Sequence, residues 1–208
     1  MILWAIVPVK PLQRSKSKLL EVLTREEIAA LGRLLLSHTL ETLGQIPEIE
    51  HTLVVSRDTE ALAIAREHGA RTVTERGNPD LGEALIRASL VVRSHGVSSV
   101  LVLPADLPLL TSEDIRELIS LSGNPPEVLL VPDRRGTGTN AILSSPPGLI
   151  EYDLKAGSFA RHIEQGEAAG AEVKICHLPS LELDLDIPDD LEVLQDMLSK
   201  SLLIQEKE

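Results

Sequence analysis

The chain has 208 residues, 43% of them hydrophobic and 25% charged, with a formal net charge of −12. That length suffices for one α/β domain with a full core, and the acidity excludes nucleic acid as a partner, because phosphate backbones need clustered Lys and Arg. A single cysteine, Cys176, excludes an internal disulfide and a cysteine-built metal site, and no apolar run reaches the roughly 18 residues of a membrane span.

Residues 2–9 form a continuous apolar run, as expected of a strand buried on both faces. The run lacks a basic flank and a small-residue cleavage site, so it reads as a strand and not as a signal peptide, and a cytoplasmic protein is expected. Thr24 followed by Glu27 predicts a capping box opening a helix to about Leu43, with Ile28, Leu31, Leu35 and Leu36 on one face. A strand at 52–56, a helix at 59–68 stopped by Gly69, a strand at 71–74 and a helix at 81–94 ended by Gly96 follow. Residues 97–103 are the strongest strand pattern. Thr111 with Asp114 then caps a helix that ends before Gly123. Strands at 127–131 and 140–143 flank a glycine-rich turn. A helix at 158–169, strands at 172–177 and 181–185, and a helix from Pro188 to about Leu198 complete the chain. Residues 1–200 read as one domain and 201–208 as a polar tail, frayed from about Ser199.

Strands alternating with helices predict a doubly wound, mainly parallel (mixed) sheet. Ligands bind such sheets outside the carboxyl ends of the strands. The first loop there, P-V-K-P-L-Q-R-S-K-S-K-L, carries Lys10, Arg14, Lys16 and Lys18. Fixed cations suit a triphosphate and its leaving pyrophosphate; the alternative is a solvated basic loop. Neither G-x-x-x-x-G-K-[ST] nor G-x-G-x-x-G is present, so the P-loop and the dinucleotide fingerprint are excluded. The second loop, L-P-A-D-L-P-L-L, holds Asp106 rigidly between two prolines after the most buried strand. It is a candidate magnesium ligand, or else an exposed turn residue.

The third segment, L-D-L-D-I-P-D-D, would place Asp184 and Asp186 on one side of a strand, able to share a cation with Asp106 or to hold a second. Capping of the last helix accounts better for Asp189 and Asp190. In R-R-G-T-G-T-N the glycines admit a phosphate close to the backbone, while a plain hairpin turn explains them equally. In A-G-S-F-A-R-H, Gly157-Ser158 opens a helix whose amino terminus would bind an anion, and Ser158 is also an ordinary N-cap candidate. The six histidines show no paired ligand spacing. An acidic chain need not repel a nucleotide, because a bound divalent cation inverts the local field.

V-P-V-K-P-L, S-K-S-K-L, P-A-D-L-P-L-L, G-T-G-T-N-A, G-S-F-A-R-H and L-D-L-D-I-P-D-D-L occur in that order across nearly the whole chain. This ordered set resembles the 2-phospho-L-lactate guanylyltransferase family of coenzyme F(420) biosynthesis. The resemblance implies a fold like that of the nucleotide-sugar pyrophosphorylases, one or two magnesium ions, and a homodimer. It implies GTP plus 2-phospho-L-lactate giving lactyl-2-diphospho-5′-guanosine and pyrophosphate; bacterial relatives use phosphoenolpyruvate or 3-phosphoglycerate. By position, the metal ligands would be Asp106, Asp184 and Asp186, and the catalytic set Lys10, Lys16, Lys18 and Asp106. The nucleotide would meet Pro8, Val9, Lys10, Ser56, Arg57, Leu81, Gly82 and Pro104, with guanine near residues 56–58 and 78–82. The acceptor phosphate would meet Thr139, Asn140, Gly157 and Ser158. Two departures stand out: L-K-A-G-S lacks the first glycine of F-G-x-G-S, and D-L-G-E-A-L stands where G-L-N-x-A-L is common.

The implied reaction is in-line attack by an acceptor phosphate oxygen on the α-phosphorus. A phosphomonoester is already ionised near neutral pH (second pKa about 6), so no general base is needed. A haloacid-dehalogenase phosphatase would place its Asp pair after the first strand, not near the end. A nicotinamide dehydrogenase lacks its fingerprint, and a non-catalytic nucleotide-binding regulator is separated by pyrophosphate release.

Overall fold

The structure, a computed structural model, describes residues 2–13, 16–75 and 81–205. In chain order the elements are β1 (Leu3–Val9), α1 (Arg25–Gly44), β2 (Ile49–Ser56), α2 (Thr59–Glu67), β3 (Arg71–Thr74), α3 (Leu81–Ser94) and β4 (Ser99–Val102). Then come α4 (Ser112–Ser120), β5 (Glu127–Pro132), β6 (Thr139–Ser145), α5 (Ser158–Ala168), β7 (Glu172–Ile175), α6 (Pro179–Glu182) and α7 (Pro188–Gln205).

The strands form one seven-stranded sheet in the order β3-β2-β1-β4-β6-β5-β7. All neighbours are parallel except that β6 runs antiparallel to both β4 and β5. Alternation along β1 shows why helices cover both faces. Leu3, Ala5, Val7 and Val9 pack with Leu36 and Leu40 of α1, Leu62 of α2 and Ile115 of α4. Trp4 and Ile6 point the other way, toward Leu85 and Val92 of α3, and Phe159 and Ile163 of α5 border the same cluster. A period-2 strand with both faces apolar must lie between two helical layers.

The predicted caps are formed. Thr24 accepts from the Glu27 amide at 3.2 Å while the Glu27 carboxylate accepts from the Thr24 amide at 2.7 Å; Thr111 accepts from the Asp114 amide in the same way. Asp58 caps α2. Cys176 is buried in the core.

Two expectations are corrected. The strand expected at 181–185 is instead the short helix α6, started by Pro179, followed by extended chain outside the sheet. The reason is that the Leu181 and Glu182 carbonyls accept from the Asn140 side-chain amide, at 2.9 and 3.1 Å, and so pair with no neighbouring strand. Burial still alternates there, with Leu183 and Leu185 inside, so Asp184 and Asp186 do point away from the core together. The last helix also continues to Gln205 instead of fraying near Leu198. No glycine or proline interrupts it after Pro188, and Lys200, Leu202, Leu203 and Gln205 are residues of good helix propensity.

Candidate active site

Three chain segments meet at the carboxyl ends of β1 and β4. Lys16, in the left-handed region at φ 55°, turns the first loop inward just before a short 3-10 turn, Ser17–Glu21. Its ammonium lies 3.3 Å from Asp106 Oδ2, 2.6 Å from the Leu185 carbonyl and 3.5 Å from Asp186 Oδ1. The Leu185 amide donates to the Asp106 carbonyl at 3.1 Å, which ties the acidic segment to the loop after β4. Burial works to lower the Lys16 pKa, but the Asp106 and Asp186 carboxylates overcome it and hold it above the ordinary lysine value. Lys16 is therefore a fixed cation at this junction.

Asp106 Oδ1 and Asp184 Oδ1 are both buried without a hydrogen-bond partner. Burial, and then the neighbouring Asp106 and Asp186 carboxylates, push the Asp184 pKa up to about 6. Such uncompensated anionic oxygen is what a hard divalent cation takes, completing its shell with water and substrate phosphate. The expected trio of Asp106, Asp184 and Asp186 is not gathered as one ligand set. Among the described residues no group of three or more His, Cys, Asp or Glu is arranged to hold a metal ion. Asp186 is exposed and its carboxylate faces Lys16, so the pair that fits a metal is Asp106 with Asp184.

Two clefts open beside this junction. One, of about 70 Å³, is walled by Val9, Lys10, Lys16, Ala105, Asp106 and Asp186. The other, of about 250 Å³, is walled by Lys18, Arg135, Thr139, Asn140, Lys155 and Asp184. Asp186 borders both.

Several expected nucleotide residues turn out to shape the first cleft from behind. The Ser56 hydroxyl donates to the Val9 carbonyl at 2.8 Å and accepts from the Asp58 amide at 3.0 Å, stapling the ends of β1 and β2. Asp58 accepts from the Leu12 amide at 2.8 Å and fixes the start of the first loop. Pro8 is buried within β1, Pro104 follows β4 half-buried, and Arg57 and Lys10 are exposed. Leu81 and Gly82 open α3, where a Cβ on Gly82 would come within 3.4 Å of the Tyr152 carbonyl. Arg14, Asn78, Pro79 and Asp80 lie outside the described residues.

The expected acceptor residues do converge. Gly157, at φ 75°, is the residue that caps α5, so Ser158 is the first helical residue and not a side-chain cap. The buried Ser158 hydroxyl donates to Thr139 Oγ1 at 3.4 Å. Asn140 spends its amide protons on α6 and so positions the acidic segment. In the glycine-rich turn, a Cβ on Gly138 would meet Asp133 Oδ2 at 2.8 Å. A side chain there would displace the Asp133 carboxylate, which accepts from the Thr137 amide at 2.8 Å and holds the turn.

Other contributors were not anticipated. Arg134 and Arg135 both donate to the buried Asp190 Oδ1, at 2.8 and 2.5 Å, and Asp190 Oδ2 accepts from the Asp186 and Ile187 amides. Asp190 thus caps α7, as expected, and also binds the glycine-rich turn to the acidic segment. Lys155, at the position where the motif lacks its glycine, lines the larger cleft. His162 lies directly behind Thr139, with Nδ1 and Thr139 Oγ1 2.9 Å apart. Its signal in the sequence was its place four residues after Ser158, on the same face of α5.

Comparison with known proteins decides the family. The family described as "Guanylyl transferase CofC like" matches residues 3–199. The chain belongs to this family. It is a nucleotidyltransferase, as its relatives' names agree. A phosphoenolpyruvate guanylyltransferase of Rubrobacter xylanophilus is 35% identical, over 94% of each chain. One from Roseiflexus sp. is 37% identical, over 92% of this chain and 84% of that one. A 2-phospho-L-lactate guanylyltransferase of Methanocaldococcus vulcanius is 31% identical, over 89% and 81%. Among solved structures, a Desulfovibrio desulfuricans chain assigned as a nucleotide-diphospho-sugar transferase has a TM-score of 0.74 at 19% identity, over 93% of this chain and 87% of that one. A cytidylyltransferase of Leptospira borgpetersenii has 0.65 at 14%, over 96% and 87%. These likenesses establish the nucleotide-diphospho-sugar transferase fold expected from the family resemblance. No helix among the described residues is long and apolar enough to cross a membrane.

Proposed function

We propose that this family member transfers the guanylyl group of GTP to a phosphate oxygen of a small three-carbon phospho-acid, in the cytoplasm and with magnesium as the metal. The observation that carries the reading is the pair of unpartnered carboxylate oxygens, Asp106 Oδ1 and Asp184 Oδ1, standing where the two clefts meet. The smaller cleft, with Lys10 and Lys16, suits the triphosphate; the larger, with Lys18, Arg135 and Lys155, suits a compact acid carrying both phosphate and carboxylate.

Asp106 and Asp184 would hold the magnesium, which neutralises charge on the phosphates as the oxygens come together. The acceptor oxygen attacks the α-phosphorus of GTP; the bond from that phosphorus to the bridging oxygen of the β-phosphate breaks, and pyrophosphate leaves. The acceptor oxygen is ionised beforehand, so the protein contributes position and charge and takes no proton. Lys16 balances Asp106 and Asp186, which keeps the acidic wall from repelling a triphosphate.

Within the acceptor class, 2-phospho-L-lactate is the expectation from the motifs. Similarity supports a second reading, phosphoenolpyruvate, because relatives bearing that name reach 35–37% identity, with others at 28–31%, against 31% for those named for 2-phospho-L-lactate. Both acids carry phosphate on the carbon beside the carboxylate. The test is a matrix of nucleotides against phosphoenolpyruvate, 2-phospho-L-lactate and 3-phosphoglycerate, with product mass and pyrophosphate as readouts. A guanylylated phospho-acid is expected; turnover confined to another nucleotide, or to sugar phosphates, overturns the reading.

A further inference from the structure

Behind the larger cleft lies a buried chain of three side chains, Ser158, Thr139 and His162, with exposures of 0%, 5% and 0%. The backbone amide of Asp153 donates to His162 Nε2 at 3.1 Å. An amide N–H can only donate, so Nε2 carries the lone pair. The single proton of a neutral imidazole then sits on Nδ1. That nitrogen is 2.9 Å from Thr139 Oγ1 and donates to it. Burial first, with help from Arg161, takes the His162 pKa down to about 4 against the opposing pull of Asp153 and the Glu151 carbonyl, so the ring stays neutral at working pH.

Thr139 Oγ1 therefore accepts from His162, and it accepts from the Ser158 hydroxyl at 3.4 Å. A hydroxyl has two acceptor sites and one proton. With both acceptor sites taken from behind, the proton is left to point forward, and Thr139 lines the cleft. We infer that His162 is a positioning residue that fixes the Thr139 hydroxyl as a hydrogen-bond donor to the anionic acceptor. A hydroxyl so oriented favours a fully ionised phosphate oxygen and disfavours a group that must itself donate. The inference deepens the proposed function and rests on its assignment of the larger cleft to the acceptor.

The experiment compares His162→Leu, His162→Asn, Thr139→Val and the Leu/Val double variant with the unaltered protein. The measurements are KM for GTP, KM for the phospho-acid, phosphoenolpyruvate affinity by calorimetry, and thermal unfolding. One hydrogen bond to an anion is worth on the order of tenfold in affinity. His162→Leu should raise the acceptor KM and Kd by about that factor and leave the GTP KM within about twofold. His162→Asn, whose side-chain amide reaches the place of Nδ1, should recover most of the loss. The double variant should be no worse than Thr139→Val alone, because His162 acts only through Thr139. Effects of His162 and Thr139 that multiply, or a loss shared equally by GTP and acceptor, overturn the inference. If no phospho-acid is turned over by the unaltered protein, the functional reading fails; the calorimetric comparison still decides the role of His162.

Discussion

Asp184 gives the sharpest prediction, because its environment is costly to the fold. Its carboxyl is pushed from the usual 3.8 up to about 6, by burial first and then by Asp106 and Asp186. A pKa raised in the folded state means that the fold favours the protonated form. The associated stability is fully present below the unfolded pKa and is lost as pH rises through about 6. At about 1.4 kcal/mol per pH unit, full ionisation at pH 7.5 costs the ligand-free fold about 3 kcal/mol, and at pH 4.5 only about 1 kcal/mol. Asp184→Asn removes that cost while keeping the shape. The variant should thus exceed the unaltered protein in stability by about 3 kcal/mol at pH 7.5, with the gap narrowing by about 2 kcal/mol at pH 4.5. For a chain of this size, the neutral-pH gain corresponds to a Tm rise of about 6–12 °C. The assay is chemical and thermal unfolding of both proteins in chelator, at the two pH values, beside guanylyl transfer at pH 7.5. Transfer should fall by at least about a hundredfold if Asp184 holds the metal. A variant less stable at both pH values, or equally stable at both, would refute the assignment of Asp184 as a strained, uncompensated carboxylate.

Asp106→Asn should abolish nearly all transfer and cost about 1–3 kcal/mol of stability, since its Oδ2 is an ion-pair partner of the nearly buried Lys16 ammonium; activity above a tenth of the unaltered rate sinks its metal role. Lys16→Ala should weaken GTP more than the acceptor, read as separate KM values, if the smaller cleft, where its ammonium lies between Asp106 and Asp186, takes the triphosphate; an unchanged GTP dependence rejects that. Asn140→Ala strips partners from the Leu181 and Glu182 carbonyls, so about 1–3 kcal/mol of stability should go, together with turnover. A stable Asn140→Ala protein with normal turnover would show that the amide does not hold the acidic segment.

The layered fold was legible because its signals are local. The apolar run of β1, the Thr24–Glu27 capping box and the glycines after α2 and α3 each depend on residues a few positions apart. The segment at 181–185 misled because its alternation of Leu and Asp is the pattern of a half-buried strand, and burial does alternate there. What the pattern does not encode is that Asn140, some forty residues earlier, takes the carbonyls a neighbouring strand would need. The candidate metal ligands were visible as short acidic motifs, but their division of labour was not. Whether a carboxylate is orphaned, as on Asp184, or neutralised, as on Asp186, depends on where Lys16 lands, and that follows from a loop turning through a left-handed residue. His162 was legible only as one letter of a motif, since its role depends on a β6 residue in front of it and a backbone amide behind.

These particulars explain how a chain with a net charge of −12 can serve two anionic substrates. The acidic residues at the site are not spread as a repelling surface. Lys16 is shared by Asp106 and Asp186, Asp190 is consumed by Arg134 and Arg135, and Asp133 is closed into its own turn by the Thr137 amide. What is left over is the unpartnered pair of oxygens, Asp106 Oδ1 and Asp184 Oδ1, where a cation shared with the substrates would turn repulsion into attraction. A site organised this way has no need of a nucleophilic side chain, and His162, the buried imidazole beside the larger cleft, is kept neutral and faces away from it, behind Thr139. The chemistry then depends on geometry held by neutral donors and balanced charges. Substitutions behind the clefts, at Ser56 and His162, should therefore alter substrate affinity as much as substitutions of the residues lining them.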